Sequence, residues 1–545
     1  MNESAQGTTP SAIVDLIDRP SSASAKDVDE RPPDEDSNDA ARWALLRGRR
    51  SRTIFAAVSY LVVSYVVLYP ILVTPVVADD YTNPFIQADR GGASVLDGLE
   101  YGWRGATEGA SFRIVGNTAG SFANWLIVYL SATFDVGISS LYAGLKFVMI
   151  MSCAAAVAWC WSSLTQLVGR PLAFPRALGF VSLTLFTTLQ IHAYWSNDPV
   201  GNYPLVGFGS TALAFVFLTL VLRFVYRPTP PRAFVATCGA VIAVGYYELN
   251  VGAVMGAGIV LALFIVRRWP DRDVRWRAAL GSLAIVMIPA ALILYGRTVT
   301  GGQAETYGGT TVRLGRVAVE TFGQGVLSSL PGAAWGLSIR TLGGTLGMVW
   351  LAVGVVALLA GISFVWLGSY HGHDDGSNDE PDRWMLTAFV LAVITYWIVA
   401  VGLQAVTVKV QDEVVAVGYV YTSYAVGAAA VALGLAAGLQ VLSTRRAHWR
   451  CFGPVLVVLC TIFLLIQLTV NWRLSEQLNA LFVPNRLLLD AFDDDAPVPE
   501  RCQALQNWTA GGWPDYYEVG MIEGLEVTYR YYFGEPFCDG FNRPP

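Results

Sequence analysis

The chain has 545 residues, 54% hydrophobic and only 14% charged, with a net charge of −6 and a mean hydropathy of +0.46. A soluble domain carries roughly 25% charged residues, so this composition excludes an ordinary soluble protein, and no basic field marks a nucleic-acid partner. Apolar runs of about 20 residues recur along the chain and predict helical membrane spans rather than a barrel.

Acid is concentrated at the start, where Asp27, Asp29, Glu30, Asp34, Glu35, Asp36 and Asp39 stand among Ser, Ala and Pro. Residues 1–50 therefore read as a disordered acidic tail, too poor in apolar side chains to offset chain entropy. An acidic tail with no cleavage pattern is not a signal peptide, so the first apolar run, 54–77, is expected to remain as a span. Arg47, Arg49, Arg50 and Arg52 precede it. The positive-inside rule then predicts a cytoplasmic N-terminus and an extracytoplasmic end for span one. At that end stands Ala78-Asp79-Asp80-Tyr81.

Residues 78–138 read as a long first outer loop that carries two interfacial helices. Val95, Leu96, Leu99 and Trp103 recur at helical spacing against Asp97, Glu100 and Arg104, and Phe122, Trp125, Leu126, Tyr129 and Leu130 repeat the pattern. Further spans are expected over 141–168, 178–193, 204–226, 234–247, 251–266, 280–295, 345–367, 384–403, 419–442 and 452–470, for a total of about eleven. Arginines follow the inward spans, as at Arg227 and Arg232, Arg267 and Arg268, or Arg445, Arg446 and Arg450. The expected architecture is an all-α polytopic membrane domain over 51–470, followed by a small mixed extracytoplasmic tail over 471–545, helical at 471–489 and stranded at 523–533. Cys502 and Cys538 are the tail's two cysteines. An oxidising compartment permits a bridge between them worth about 3–4 kcal/mol. Nearly every cation is Arg, the lysines being Lys26, Lys146 and Lys409. That bias fits a high-GC bacterial genome and a multi-pass plasma-membrane protein.

Ionisable groups at a bilayer edge are functional candidates by default. Asp79 and Asp80 lead them, since a carboxylate in a partly dry cleft can act as a general base. Lys146 sits about two turns, roughly 10 Å, inside its span; it either snorkels or meets an anion. Lys409 precedes Asp412 and Glu413 and either pairs with them or meets an anion. Glu248, between two apolar segments, either binds substrate hydroxyls or pairs with a cation such as Lys146. His192 opens a polar-aromatic stretch with Tyr194, Trp195, Asn197 and Asp198, which suits sugar binding or an interfacial belt. His371, His373, Asp374 and Asp375 read as a solvated linker.

A cytoplasmic N-terminus, an acidic pair after the first span, interfacial helices in the first outer loop and an outer tail together resemble the GT-C superfamily of membrane glycosyltransferases. Within it, Ala78-Asp79-Asp80-Tyr81 followed by Ser111-Phe112-Arg113 and Asn117 is similar to bacterial O-antigen-glucosyltransferase-like members. Those carry Asp-Asp-aromatic and then a Gly-Arg-type element, where this chain has Ser-Phe-Arg. The resemblance implies inverting transfer from a polyprenyl-phosphate sugar to a glycan or glycolipid acceptor. Asp79 or Asp80 would be the base, Lys146, Lys409 and Arg113 the phosphate's cations, and Glu248, Asn117, His192 and Tyr81 substrate-binding residues. Some members use a divalent cation, which Asp79 or Asp80 would hold, and others do not. A lipid-linked glycan transporter or flippase, or a glycan polymerase or ligase, stays open as an alternative.

Overall fold

The computed structural model describes residues 35–107, 113–169, 171–192, 200–267, 272–300, 311–333, 383–414, 417–419, 423–444, 446–493, 496–511 and 515–539. They are mostly helical: among them the sole extended pairing is an isolated bridge between Val312 and Thr407. The chain divides into two compact units, Met1–Val62 and Val63–Pro545. Most of residues 1–50 lies outside the described residues, but 35–50, expected in the disordered tail, belong to helix α1 (Glu35–Leu72), which runs on into the first span.

Helices α2 (Ala78–Gly91), α3 (Val95–Thr107) and α4 (Ile114–Phe134) follow, three where two were expected. Ser94 and Asp97 begin α3 with a reciprocal cap: Ser94 Oγ and N–H donate to the Asp97 carboxylate, and the Asp97 N–H donates to Ser94 Oγ. Then come α5 (Ile138–Leu167), α6 (Phe174–Thr188), α7 (Ser210–Tyr226), α8 (Pro230–Tyr246), α9 (Val251–Arg267), α10 (Arg272–Thr300) and α11 (Arg316–Ser328). The last described helices are α12 (Arg383–Ala405), α13 (Val408–Glu413), α14 (Tyr424–Thr444), α15 (Arg446–Leu481), α16 (Val483–Asp493), α17 (Val498–Thr509) and α18 (Asp515–Phe533).

Six stretches among the described residues are long and apolar enough to cross a membrane: Ile54–Leu72, Ile138–Leu167, Leu205–Tyr226, Glu248–Arg267, Arg275–Gly296 and Trp384–Ala405. The described residues are thus those of a helical membrane protein. The segment expected at 345–367 lies outside the described residues. Two expected spans are short. Helix α6 has 15 residues and α8 has 17, about 22 and 26 Å at 1.5 Å per residue, less than a 30 Å hydrocarbon core. Both end inside the protein, where side chains must satisfy the freed backbone. Beyond α6, Tyr424 accepts from the Gln190 N–H and donates to Thr188 O, while Asn471 accepts from the Ile191 N–H and donates to Leu189 O. Beyond α8, buried Asn250 donates to Ala243 O at 2.8 Å and accepts from Tyr396 Oη at 2.8 Å.

Small residues set the closest helix pairs. Gly252 and Gly256 lie on α9 against the backbone of Tyr396 and Ala392 in α12, where an added Cβ would meet carbonyl oxygens at 2.8 and 2.5 Å. This is the Gly-x-x-x-Gly spacing that lets membrane helices approach.

The C-terminal tail is helical, including 523–533, expected as a strand and found inside α18. Aromatic and β-branched content favours strand only on a pleated, half-buried surface. Here Met521, Leu525 and Tyr529, spaced by four, bury one helical face. Residues 471–481, expected as helical, continue α15, which passes unbroken from 446 to 481. Helices α16 to α18 share a core with Tyr81 and Phe85 of α2, and Gly524 presses onto the Phe85 carbonyl. The Cys502–Cys538 bridge is formed, with the cysteines 36 residues apart. A loop of that length contributes about 4 kcal/mol by restricting the unfolded chain. Cys502→Ser is therefore expected to lower the unfolding midpoint of the tail in oxidising buffer and to leave it unchanged when both proteins are reduced.

Candidate functional site

Asp79 and Asp80 occupy the first turn of α2 rather than a loop. Val77 caps that helix with extended backbone and no side-chain bond, so its first N–H groups form a positive end that favours acidic residues. Pro84 stands four residues after Asp80 and has no N–H to give the Asp80 carbonyl. Tyr142 of α5 supplies the missing donor, its hydroxyl lying 2.6 Å from Asp80 O. The side chain is held separately: the Tyr203 N–H donates to Asp80 Oδ2 at 2.6 Å.

Lys146 of α5 is the nearby cation. It is 1% exposed and does not snorkel; its ammonium donates to both Thr74 O and Thr74 Oγ1 at 2.8 Å. Asp80 keeps part of its surface open, yet its carboxyl is enclosed. Burial pushes its pKa up from 3.8 to about 7; Asp79 adds to the rise, while the Tyr203 amide and Lys146 oppose it. Desolvation wins because removing water penalises the charged form more than one amide and one cation restore. A carboxyl poised near neutrality can exchange a proton with a bound hydroxyl.

Glu248 and Arg113 form a second group. Arg113 precedes α4, and its Nε and Nη2 grip both oxygens of Glu248 while its guanidinium lies 4.3 Å from the Tyr247 ring centroid. Glu248 was expected either to bind substrate hydroxyls or to pair with a cation such as Lys146; the cation beside it is Arg113, whose planar fork matches a carboxylate bidentately. The contact is set by Gly116, where a Cβ would sit 2.0 Å from Tyr246 O. Gly116→Ala is expected to force α4 off α8 and to cost about 1–3 kcal/mol in thermal unfolding. Gly120→Ala, where an added Cβ meets nothing within 4 Å, should be neutral or slightly stabilising. The two groups are linked through the main chain, since Tyr246 Oη donates to Leu205 O, two residues after Tyr203.

Other expected site residues lie elsewhere. Tyr81 is buried against Trp508, with ring centroids 6.1 Å apart, so it packs the underside of α2 and does not face a substrate. Asn117 lies in the α3–α4 seam beside Gly102 and Gly105. His192 is fully buried with its ring edge-on to Tyr424 at 4.4 Å, a packing residue of the interior and not a surface sugar contact. Lys409 pairs with Glu413 on α13, next to the Arg313–Asp412 pair. Ser111, Phe112, Tyr194, Trp195, Asn197, Asp198, His371, His373, Asp374 and Asp375 lie outside the described residues.

Among the described residues no group of three or more His, Cys, Asp and Glu is placed to hold a metal. Asp79 and Asp80 supply two carboxylates, while Lys146 puts a positive charge within Coulombic reach of Asp80. No step below runs through a metal ion.

Sequence reading missed Asn202, Tyr203, Thr74 and Tyr142. The Pro84 spacing alone signalled that Asp80 needed an outside donor; which residue provides it depends on contacts more than 60 residues distant. Comparison with known proteins adds no relative: no family model, curated protein or solved structure matches this chain.

Proposed function

We propose that this protein is an inverting membrane glycosyltransferase that moves a sugar from a polyprenyl-phosphate donor to a cell-envelope glycan or glycolipid. The observation that carries the reading is Asp80: a carboxyl anchored at backbone and side chain, just after a membrane span, with its pKa near 7. Asp80 takes the proton of the acceptor hydroxyl as that oxygen attacks the anomeric carbon. The bond from that carbon to the phosphate oxygen breaks, and polyprenyl phosphate leaves with the electron pair. Inversion follows from a single in-line displacement and needs no carboxylate nucleophile.

Lys146, engaged by Thr74 and within Coulombic reach of Asp80, tunes the base rather than binding the phosphate. Arg113 is the better phosphate ligand, since the planar fork that grips the Glu248 carboxylate also matches phosphate geometry. In the full reading the chain has about eleven spans, a cytoplasmic N-terminus, an extracytoplasmic C-terminus and a place in a bacterial plasma membrane. A lipid-borne donor suits the outer face, where nucleotide sugars are scarce.

The test is transfer from a polyprenyl-phosphate hexose by purified protein in vesicles. Loss of transfer in Asp80→Asn, with the fold retained, supports the assignment. Full transfer by Asp80→Asn would overturn it, and full transfer by Asp79→Asn as well would remove the acidic pair from the chemistry altogether. Arg113→Lys should raise the KM for donor about tenfold with less effect on kcat, because an ammonium cannot reproduce the fork.

A further inference from the structure

The geometry points to the main-chain amide of Tyr203 as the group that positions the Asp80 carboxylate, presented by a turn over residues 200–203 built for that purpose. This inference rests on the reading of Asp80 as the base. Tyr203 has φ 55°, in the left-handed region that favours glycine. A non-glycine residue there costs about 1 kcal/mol, and the following Pro204 biases its predecessor toward extended backbone. Such a conformation persists only where its surroundings enforce it.

They do so from both sides. Asn202, 3% exposed, accepts the Val77 N–H through its Oδ1 at 3.4 Å, which ties the turn to the start of α2. Beyond Tyr203 the chain enters a π-helical turn, Leu205–Gly209, in which the Gly207 N–H donates to Tyr203 O at 2.8 Å. Tyr246 Oη then holds Leu205 O at 3.1 Å. Strain enforced from two directions aims one N–H at one carboxylate oxygen, and among the described residues it is the only hydrogen bond that the Asp80 side chain receives. The charged and titratable groups around that carboxyl are Asp79 from its own turn and Lys146 and Tyr142 from α5. Of these, Tyr142 donates to the Asp80 carbonyl rather than to its carboxylate, and Lys146 donates to Thr74.

The amide favours the charged carboxylate, so its loss raises the proton affinity of Asp80. Tyr203→Gly and Tyr203→Val both remove the aromatic ring, but only glycine keeps φ near +55° readily; a β-branched residue resists it. The readout is the pH titration of the Asp80 carboxyl stretch by infrared difference spectroscopy, assigned by its disappearance in Asp80→Asn. Tyr203→Gly is expected to titrate as wild type, and Tyr203→Val about one pH unit higher, a tenfold rise in proton affinity. Equal shifts in both variants would assign the effect to the ring, and no shift in either would remove the amide's role; each outcome overturns the inference. If Tyr203→Val does not fold, Asn202→Leu, which cuts the tie to Val77, decides with the same expected upward shift and the same contrary result. Wild-type transfer by Asp80→Asn would overturn the base assignment alone and leave the titration result standing.

Discussion

Asp80→Asn is expected to reduce sugar transfer by 10²–10⁴-fold, the range for loss of a general base, while Asp79→Asn retains transfer with its pH profile displaced. The environment of the pair dictates the difference. With Asp80 at about 7, wild-type kcat should rise on an acidic limb centred there, roughly a tenth of its plateau at pH 6 and nine-tenths at pH 8. The sign follows from the chemistry: a base works deprotonated, so activity falls as pH drops through its pKa. Asp79 raises that pKa by like-charge repulsion, so Asp79→Asn should move the limb to lower pH. Lys146 lowers it, so Lys146→Met should move the limb to higher pH. Each displacement should be about half a unit to one unit, typical of one neighbouring charge. Opposite shifts from two uncharged replacements cannot come from general damage to the fold. Coincident profiles for wild type, Asp79→Asn and Lys146→Met would mean that another group sets the limb.

The second large effect belongs to Arg501. Its guanidinium is 1% exposed and joins the end of the chain to α17: it donates to Phe537 O, Ala496 O, Pro536 O and Tyr529 Oη, pairs with Glu535 at 2.7 Å and lies 4.5 Å from the Tyr529 ring centroid. A buried cation costs several kcal/mol in desolvation, tolerable only when its donors are used in this way. Arg501→Met leaves Glu535 and three carbonyls without their partner and should destabilise the tail by about 3–5 kcal/mol. Arg501→Lys should recover little, because one ammonium cannot reach acceptors spread around a planar fork. Denaturant unfolding of the full-length protein measures this. The tail supports α2 through Gly524, Phe85 and Tyr81, so transfer should fall in parallel. Unchanged unfolding with full transfer would show that Arg501 only decorates the tail.

Membrane class and the location of most long apolar helices were legible because hydrophobicity over 20 residues is a local property. The Cys502–Cys538 pairing was legible for a similar reason, since the tail has no other cysteine. The end of α6 was not. Its span was expected to run to 193, and only the partners Tyr424 and Asn471, more than 230 residues away in the chain, make it favourable for the helix to stop at Thr188. The tail strand failed because periodicity of two and of four compete over Glu523 to Phe533, and packing on α2 selects the four.

Asp79-Asp80 was present in the linear chain as two charges after an apolar run, and Pro84 already removed the helical partner of the Asp80 carbonyl. Its chemistry was not present there. The raised pKa comes from burial, and the anchoring comes from Tyr142 and Tyr203, 62 and 123 residues distant. Likewise Glu248 needed a cation from the moment it stood between apolar segments, but Arg113, 135 residues earlier, is chosen by the close approach of Gly116 to Tyr246. Local sequence carries hydropathy, helix-breaking and charge; desolvation and partner choice depend on which distant surfaces meet, and those exist only once the helices are packed.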